Sequence, residues 1–185
     1  MAALLFTLLA VLVTGLAARD QALLAAMVAR QGPRPALLLV AAVSGIASVA
    51  AAVWLAQVVA AAMPAPARQL FVAIALGIAG FEMLVLTRRP APAEPTHSLG
   101  AFALVLLAGQ ITDAARFVAM GMAVATRALL PVALGAGAAV LALALMAWLA
   151  ADLVRHPGLA RARRMLGGAV LIGAVLFALR ALSLI

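Results

Sequence analysis

Residues 99–126 read LGAFALVLLAGQITDAARFVAMGMAVAT. About 20 apolar residues suffice to cross roughly 30 Å of hydrocarbon, and this stretch exceeds that length. It nevertheless carries Asp113 midway, with Gln110 and Arg116 each three positions away. Residues at that spacing share one helix face. An ionisable group inside a span costs roughly 2.5–3.5 kcal/mol on insertion scales, so this face must look into a bundle and not into lipid.

The rest of the chain is of the same kind. Of 185 residues 69% are apolar and 10% charged, with a mean hydropathy of +1.27. Soluble domains lie nearer half apolar and a quarter charged, which excludes a water-soluble globule. All 13 basic residues are arginine, the acids number 5, and cysteine and tyrosine are absent. A disulfide framework, a thiolate nucleophile, cysteine-ligated zinc and an iron-sulfur cluster are therefore excluded. No nucleophile, base and orienting group occur together, so an enzyme is not expected and no cofactor is implied.

Outward from residues 99–126, apolar stretches at 2–29, 36–62, 70–87, 128–154 and 165–184 predict an all-α, polytopic membrane protein with six transmembrane helices. Proline- and glycine-bearing breaks at 30–35, 63–68, 88–98 and 155–158 separate them. The first stretch ends in small residues but lacks the cationic start of a signal peptide, and reads as a helix. Arg30, Arg34, Arg88, Arg89, Arg155, Arg161, Arg163 and Arg164 collect on one side, against Arg68 and Arg127 on the other. Positive charge stays cytoplasmic, so both termini are expected outside, in the periplasm for a chain in a bacterial inner membrane. The net charge of +8 is then a topology signal and not a nucleic-acid surface.

The halves resemble each other. Trp54 and Trp148, the only tryptophans, sit in similar strings 94 residues apart; Gly77, Ala79 and Phe81 match Gly173, Val175 and Phe177 at 96; Phe6 matches Phe102 at 96; and residues 21–30 run parallel to 116–125 at 95. Two repeats, 1–90 and 96–185, follow. A unit of three crossings re-enters from the opposite face, so the expectation is an inverted repeat with a substrate site where the halves meet, as in secondary transporters.

Besides Asp113 and Arg116, the charges expected within spans are Arg19, Asp20, Glu82 and Arg180. Asp113 with Gln110 and Thr112 offers hard oxygens for a cation such as Ca²⁺ or Mn²⁺, or for relaying a proton; a buried structural pair with Arg116 is the alternative. Thr14, Arg19, Asp20 and Gln21 occupy the corresponding region of the first half. Arg19 and Asp20 are neighbours pointing in different directions, so the expected partners lie across the interface: Asp20 with Arg116, Arg19 with Asp113. Alternatively this span breaks and both groups reach water. Glu82 suits a proton carrier or third ligand, or snorkels to the interface. Ser44, Gly45, Ser48, Gly135 and Gly137 read as packing surfaces, His97 and His156 as solvated loop residues, and Met120 and Met122 as apolar filler.

These windows resemble the transmembrane protein 165/Gdt family of cation/proton exchangers, whose members carry a Glu-x-Gly-Asp-Lys/Arg-Ser/Thr motif in each of two inverted three-helix repeats. Asp113 matches the family aspartate, Gln110 replaces its glutamate, Arg19 takes the basic position and Gln21 the following glutamine. Gly15 and Ala18 stand where the acids of the first motif would be, and Asp20 takes the Ser/Thr position. The resemblance implies exchange of Mn²⁺ or Ca²⁺ for protons at a midplane site. The expected substrate ligands are Asp113, Gln110, Asp20 and Gln21, with Asp113 the metal-binding carboxylate, Glu82 a proton relay and Arg19 and Arg116 neutralising the site. Two alternatives stay open: a degenerate paralogue serving as a membrane partner subunit, and an exporter of an amino acid or other small anion. The expected partners are the lipid bilayer, a small ion or solute, and further copies of the chain, with no nucleic acid.

Overall fold

The computed structural model describes residues 1–86 and 97–184. Arg88, Arg89, Glu94 and most of the break expected at 88–98 lie outside the described residues. Within them the chain is helical throughout, without strands: α1 (Ala2–Gly15), α2 (Arg19–Gln31), α3 (Pro35–Ala62), α4 (Ala65–Val85), α5 (Leu99–Ile111), α6 (Ala114–Thr126), α7 (Leu129–Leu149), α8 (Ala151–Arg155) and α9 (Pro157–Ala181). Four of them, α3, α4, α7 and α9, are each long and apolar enough to cross a membrane. The pairs α1–α2 and α5–α6 bend by 61° and 53° at their breaks, and counting each pair as one span brings the total to six. The chain is a multi-pass membrane protein.

Helix ends follow local chemistry. Pro35, Pro66 and Pro157 occupy first-turn positions, where the missing N–H has no intrahelical partner to lose. Ser98 and His156 cap α5 and α9 by accepting from Ala101 N at 3.3 Å and Gly158 N at 3.1 Å. Gly32, at φ 80°, turns the chain out of α2 in a conformation that favours glycine.

Three of the expected spans are redrawn. Residues 2–29 and 99–126 are interrupted near their middles, and 128–154 divides at Ala150 into α7 and α8. The last helix begins at Pro157, so Arg161, Arg163 and Arg164 are helical and not in a loop. Arg163 is buried, which removes it from the orienting loop arginines. Its spacing to Gly167 and Ala174 puts it on the one buried face of α9.

The interior is built from small side chains, chiefly Ala, Val and Gly, while Leu5, Phe6, Leu39, Trp54, Leu104 and Ile172 point outward. Lipid is as apolar as leucine, so the gain from association comes from close packing, which small residues permit. α4 runs antiparallel to α9 along the most extensive seam, and α6 packs on α1, α3 and α4. α7 lies against α1 and α3, with Gly135 under the Leu4 carbonyl of α1. At the α4–α9 crossing a methyl group at Gly80 would come within 2.7 Å of Leu171 N and 2.8 Å of Gly167 O.

That approach is backbone on backbone, with no flexible side chain to yield. Gly80→Val is expected to destabilise the protein by about 1–3 kcal/mol, the usual cost of overpacking, seen as a lowered midpoint of thermal unfolding in detergent. Gly109→Val, where a Cβ meets no atom within 4 Å, should shift it by less.

Candidate functional site

The first helix break is mostly buried, whereas at the second Ile111 and Thr112 are exposed and Asp113 is buried; each leaves backbone groups without helical partners. At the first, Leu16 and Ala17 turn the chain between α1 and α2, with Ala17 in the left-handed region at φ 58°. At the second, Thr112 and Asp113 separate α5 from α6. Lipid and packed side chains supply no water to such groups, so protein must.

The charged residues do this. Arg163 Nη1 donates to Thr14 O and, at 3.3 Å, to Leu16 O, capping the end of α1. Arg19 Nη2 donates to Thr112 O at 3.1 Å, Thr112 Oγ1 at 2.7 Å and Gly109 O at 3.5 Å, capping the end of α5. At the opposite poles Asp20 Oδ1 accepts from Gln21 N at 2.7 Å and Asp113 Oδ2 from Ala115 N at 3.3 Å. Carboxylates therefore stand at the N-termini of α2 and α6, and guanidinium groups at the C-termini of α1 and α5, the signs that helix dipoles favour.

These groups also pair with one another in a continuous chain. Arg19 Nε meets Glu82 Oε1 at 3.2 Å; Arg163 Nη2 meets Glu82 Oε2 at 2.5 Å and Asp113 Oδ1 at 3.6 Å; Arg116 Nη1 meets Asp113 Oδ2 at 2.8 Å and Asp20 Oδ2 at 3.3 Å. Three guanidinium groups thus balance three carboxylates across α2, α4, α6 and α9. Arg116 Nε also donates to Ser48 Oγ of α3 at 3.1 Å. Asp113 Oδ1 is the one buried side-chain polar atom without a hydrogen bond among the described residues.

Of the expected partners, Asp20 meets Arg116. Arg19 does not take Asp113: the break carries it over the α5 carbonyls and Glu82, while Asp113 faces Arg116 and Arg163. Arg19 and Asp20 stay mostly covered, each bound into the network, although the span breaks beside them. Glu82 is 3% exposed and does not snorkel. Gln110 reaches Asp20 Oδ2 at 3.4 Å from Nε2. With its amide turned over it donates to Ser44 O at 3.0 Å and Ser48 Oγ at 3.2 Å while accepting from Arg116 Nη2 at 3.3 Å, which satisfies both ends. Gln21 bonds backbone at both ends of its amide: Oε1 accepts from Ala17 N at 2.6 Å and Nε2 donates to Leu143 O at 2.8 Å. Arg180 is exposed and stands apart.

Arg163, Ser48 and the carbonyls of Thr14 and Leu16 enter the network unforeseen. Arg163 sits in a run of arginines that reads as a loop cluster, and only its spacing to Gly167 and Ala174 distinguishes it from Arg161 and Arg164. Carbonyls become ligating atoms only where a helix stops, and residues 14–18 contain no proline to announce it.

A cavity of about 20 Å³, room for one water, is bounded by Asp20, Gln21, Gln110 and Arg116 together with Gly15 and Gly45. On the other side of Arg116 a groove of about 630 Å³ opens between α3, α5 and α6, apolar except for Ser48, Gln110, Thr112 and Arg116 itself. No group of three or more His, Cys, Asp or Glu is placed to hold a metal among the described residues. No family model, curated protein or solved structure matches the chain.

Arg116 is the ion partner of Asp20 and bonds Asp113 as well. Arg116→Gln leaves buried carboxylates undercompensated and is expected to destabilise by about 3–5 kcal/mol in chemical denaturation. Adding Asp20→Asn should restore part of that loss, a coupling that a double-mutant cycle reads directly.

Proposed function

We propose that the chain is a secondary transporter whose substrate site lies between the two helix breaks, and that it exchanges a divalent cation, Mn²⁺ or Ca²⁺, for protons. The observation that carries this reading is the pair of interrupted helices bonded to each other through the residues at their breaks: Arg19 to Thr112, and Arg116 to both Asp20 and Asp113. Discontinuous membrane helices gathered about a buried polar site are the hallmark of such carriers, because their exposed termini can hold ions away from water.

The two interrupted helices also recur at the same interval as the sequence matches. α2 starts at Arg19 and α6 at Ala114, 95 residues apart, and each broken pair is followed by long apolar helices. This supports an inverted three-helix repeat, 1–90 and 96–185, in which rocking of the halves opens the site to each side in turn. In the present conformation guanidinium groups neutralise the acids that a cation would use, as a closed state between openings requires. Asp113, Asp20 and Gln110 are the substrate-facing residues in this reading, Glu82 passes protons, and Arg19 and Arg116 keep the site neutral. Both termini face the periplasm if the membrane is a bacterial inner one.

One observation favours a second reading, a membrane partner protein that transports nothing: every intramembrane carboxylate already has an arginine within 3.3 Å. Proteoliposomes separate the two. An imposed Mn²⁺ or Ca²⁺ gradient should drive proton flux, and Asp113→Asn should lower that flux about tenfold or more, as loss of a charged ligand worth roughly 1.5–3 kcal/mol implies. No flux with either ion supports the partner protein, and unchanged flux in Asp113→Asn removes Asp113 from the mechanism.

A further inference from the structure

The surroundings of Arg163 differ from those of Arg19 and Arg116. Four oxygens from three different segments converge on the terminal nitrogens of its guanidinium: Thr14 O and Leu16 O on Nη1, Glu82 Oε2 and Asp113 Oδ1 on Nη2. Both nitrogens belong to one planar guanidinium, so the four oxygens line the rim of a single cationic group. We propose that these four oxygens form a divalent-cation site in which the Arg163 guanidinium is a tethered stand-in for the ion. The inference rests on the transporter reading above, keeps its Asp113, and moves the cation site away from Asp20 and Gln110 to the region between α1, α4 and the start of α6.

The donor set is two carboxylates and two backbone carbonyls, hard oxygens of the kind that Ca²⁺ or Mn²⁺ takes with waters completing the shell. The carbonyls are available because α1 ends there, and the C-terminal end of an interrupted helix favours positive charge. Asp113 Oδ1 supplies an independent sign. It is on a residue 1% exposed, accepts no hydrogen bond, and lies 3.6 Å from Arg163 Nη2. A buried carboxylate oxygen in this condition calls for a partner, and a cation is one that suits its charge.

The connectivity allows the exchange. The stand-in comes from α9, whereas all four oxygens come from other segments. Withdrawal of the first turns of α9 would remove the guanidinium and leave the oxygens attached to α1, α4 and the α5–α6 break. Glu82 stays oriented throughout, because Arg19 Nε holds its Oε1 at 3.2 Å and leaves Oε2 for the site. Asp113 is likewise held through Oδ2 by Arg116 at 2.8 Å.

The test is Mn²⁺ binding to the purified full chain in detergent, followed by electron paramagnetic resonance of the free ion, with Ca²⁺ as competitor. Removing a tethered competitor raises the fraction of protein competent to bind, so Arg163→Gln should bind Mn²⁺ at least about tenfold more tightly than the unaltered chain. Adding Glu82→Gln should abolish that gain. If Arg163→Gln is not monodisperse, Arg163→Lys decides: its compact ammonium cannot span both pairs of oxygens, and Mn²⁺ should bind severalfold tighter than to the unaltered chain. A folded variant that binds no more tightly, or a gain that survives Glu82→Gln, overturns the site. Tighter binding without flux in proteoliposomes keeps the site and removes the exchanger; flux without tighter binding does the reverse.

Discussion

A helix that stops among apolar segments has to find partners for the N–H and C=O groups it exposes, and this protein stops two helices, α1 and α5, at breaks that bond to each other. Four of the buried or half-buried charges answer to that constraint. Arg163 and Arg19 close the carbonyl ends of α1 and α5, while Asp20 and Asp113 close the amide ends of α2 and α6. The charges would be costly as isolated groups in a span. As caps that also neutralise one another, they satisfy the backbone and each other at once, and removing any member leaves both a broken cap and an unpaired charge.

The apolar packing serves the same arrangement. Gly80 and Gly167 let α4 and α9 touch along their backbones, and this seam carries Glu82 and Arg163 at the same level. Gly45 leaves space beside Arg116, with Val140 of α7 across from it. Of the small residues that read as packing surfaces, Gly45 and Gly135 are closely packed, Gly137 meets no neighbour within 4 Å and Ser48 bonds Arg116; close packing at Gly45, Gly80 and Gly167 brings guanidinium and carboxylate groups from distant segments within bonding distance. The network in turn ties helices from both halves of the chain, so a change of partner at Arg116 or Arg163 would alter how one half sits on the other.

Much of this was legible in the residues. The apolar stretches predicted a helical membrane protein, and the intramembrane charges, apart from Arg180, were the ones that meet. The Asp20–Arg116 pair was expected from their placement in separate halves. The break at 112–113 carried a local signal, since Thr-Asp ahead of an Ala-rich segment is a good helix cap. The break at 16–18 carried almost none, because Leu16, Ala17 and Ala18 are ordinary helix residues whose turn depends on Gln21 reaching Ala17 and on Arg163 reaching from α9. The pairing of Arg19 with Asp113 rests only on Arg19 and Asp20 pointing in different directions; the structure places Arg19 on Glu82 and Thr112 instead.

By itself the sequence determined the solvent and the class of fold, since composition and segment length depend on nothing beyond transfer free energies and helix rise. It also pointed to Arg19, Asp20, Glu82, Asp113 and Arg116 as residues that gather, because a charge within an apolar span is costly when isolated, although Arg180 stays exposed and Arg163 joins them from a stretch that reads as a loop. Which charge meets which was decided only in the tertiary structure. Pairing depends on where the helices stop and how closely glycines let them approach, and both are set by contacts between residues far apart in the chain. The oxygens around Arg163 are the plainest case: two are backbone atoms that any residue could supply, and they become ligands only because α1 ends beneath α9.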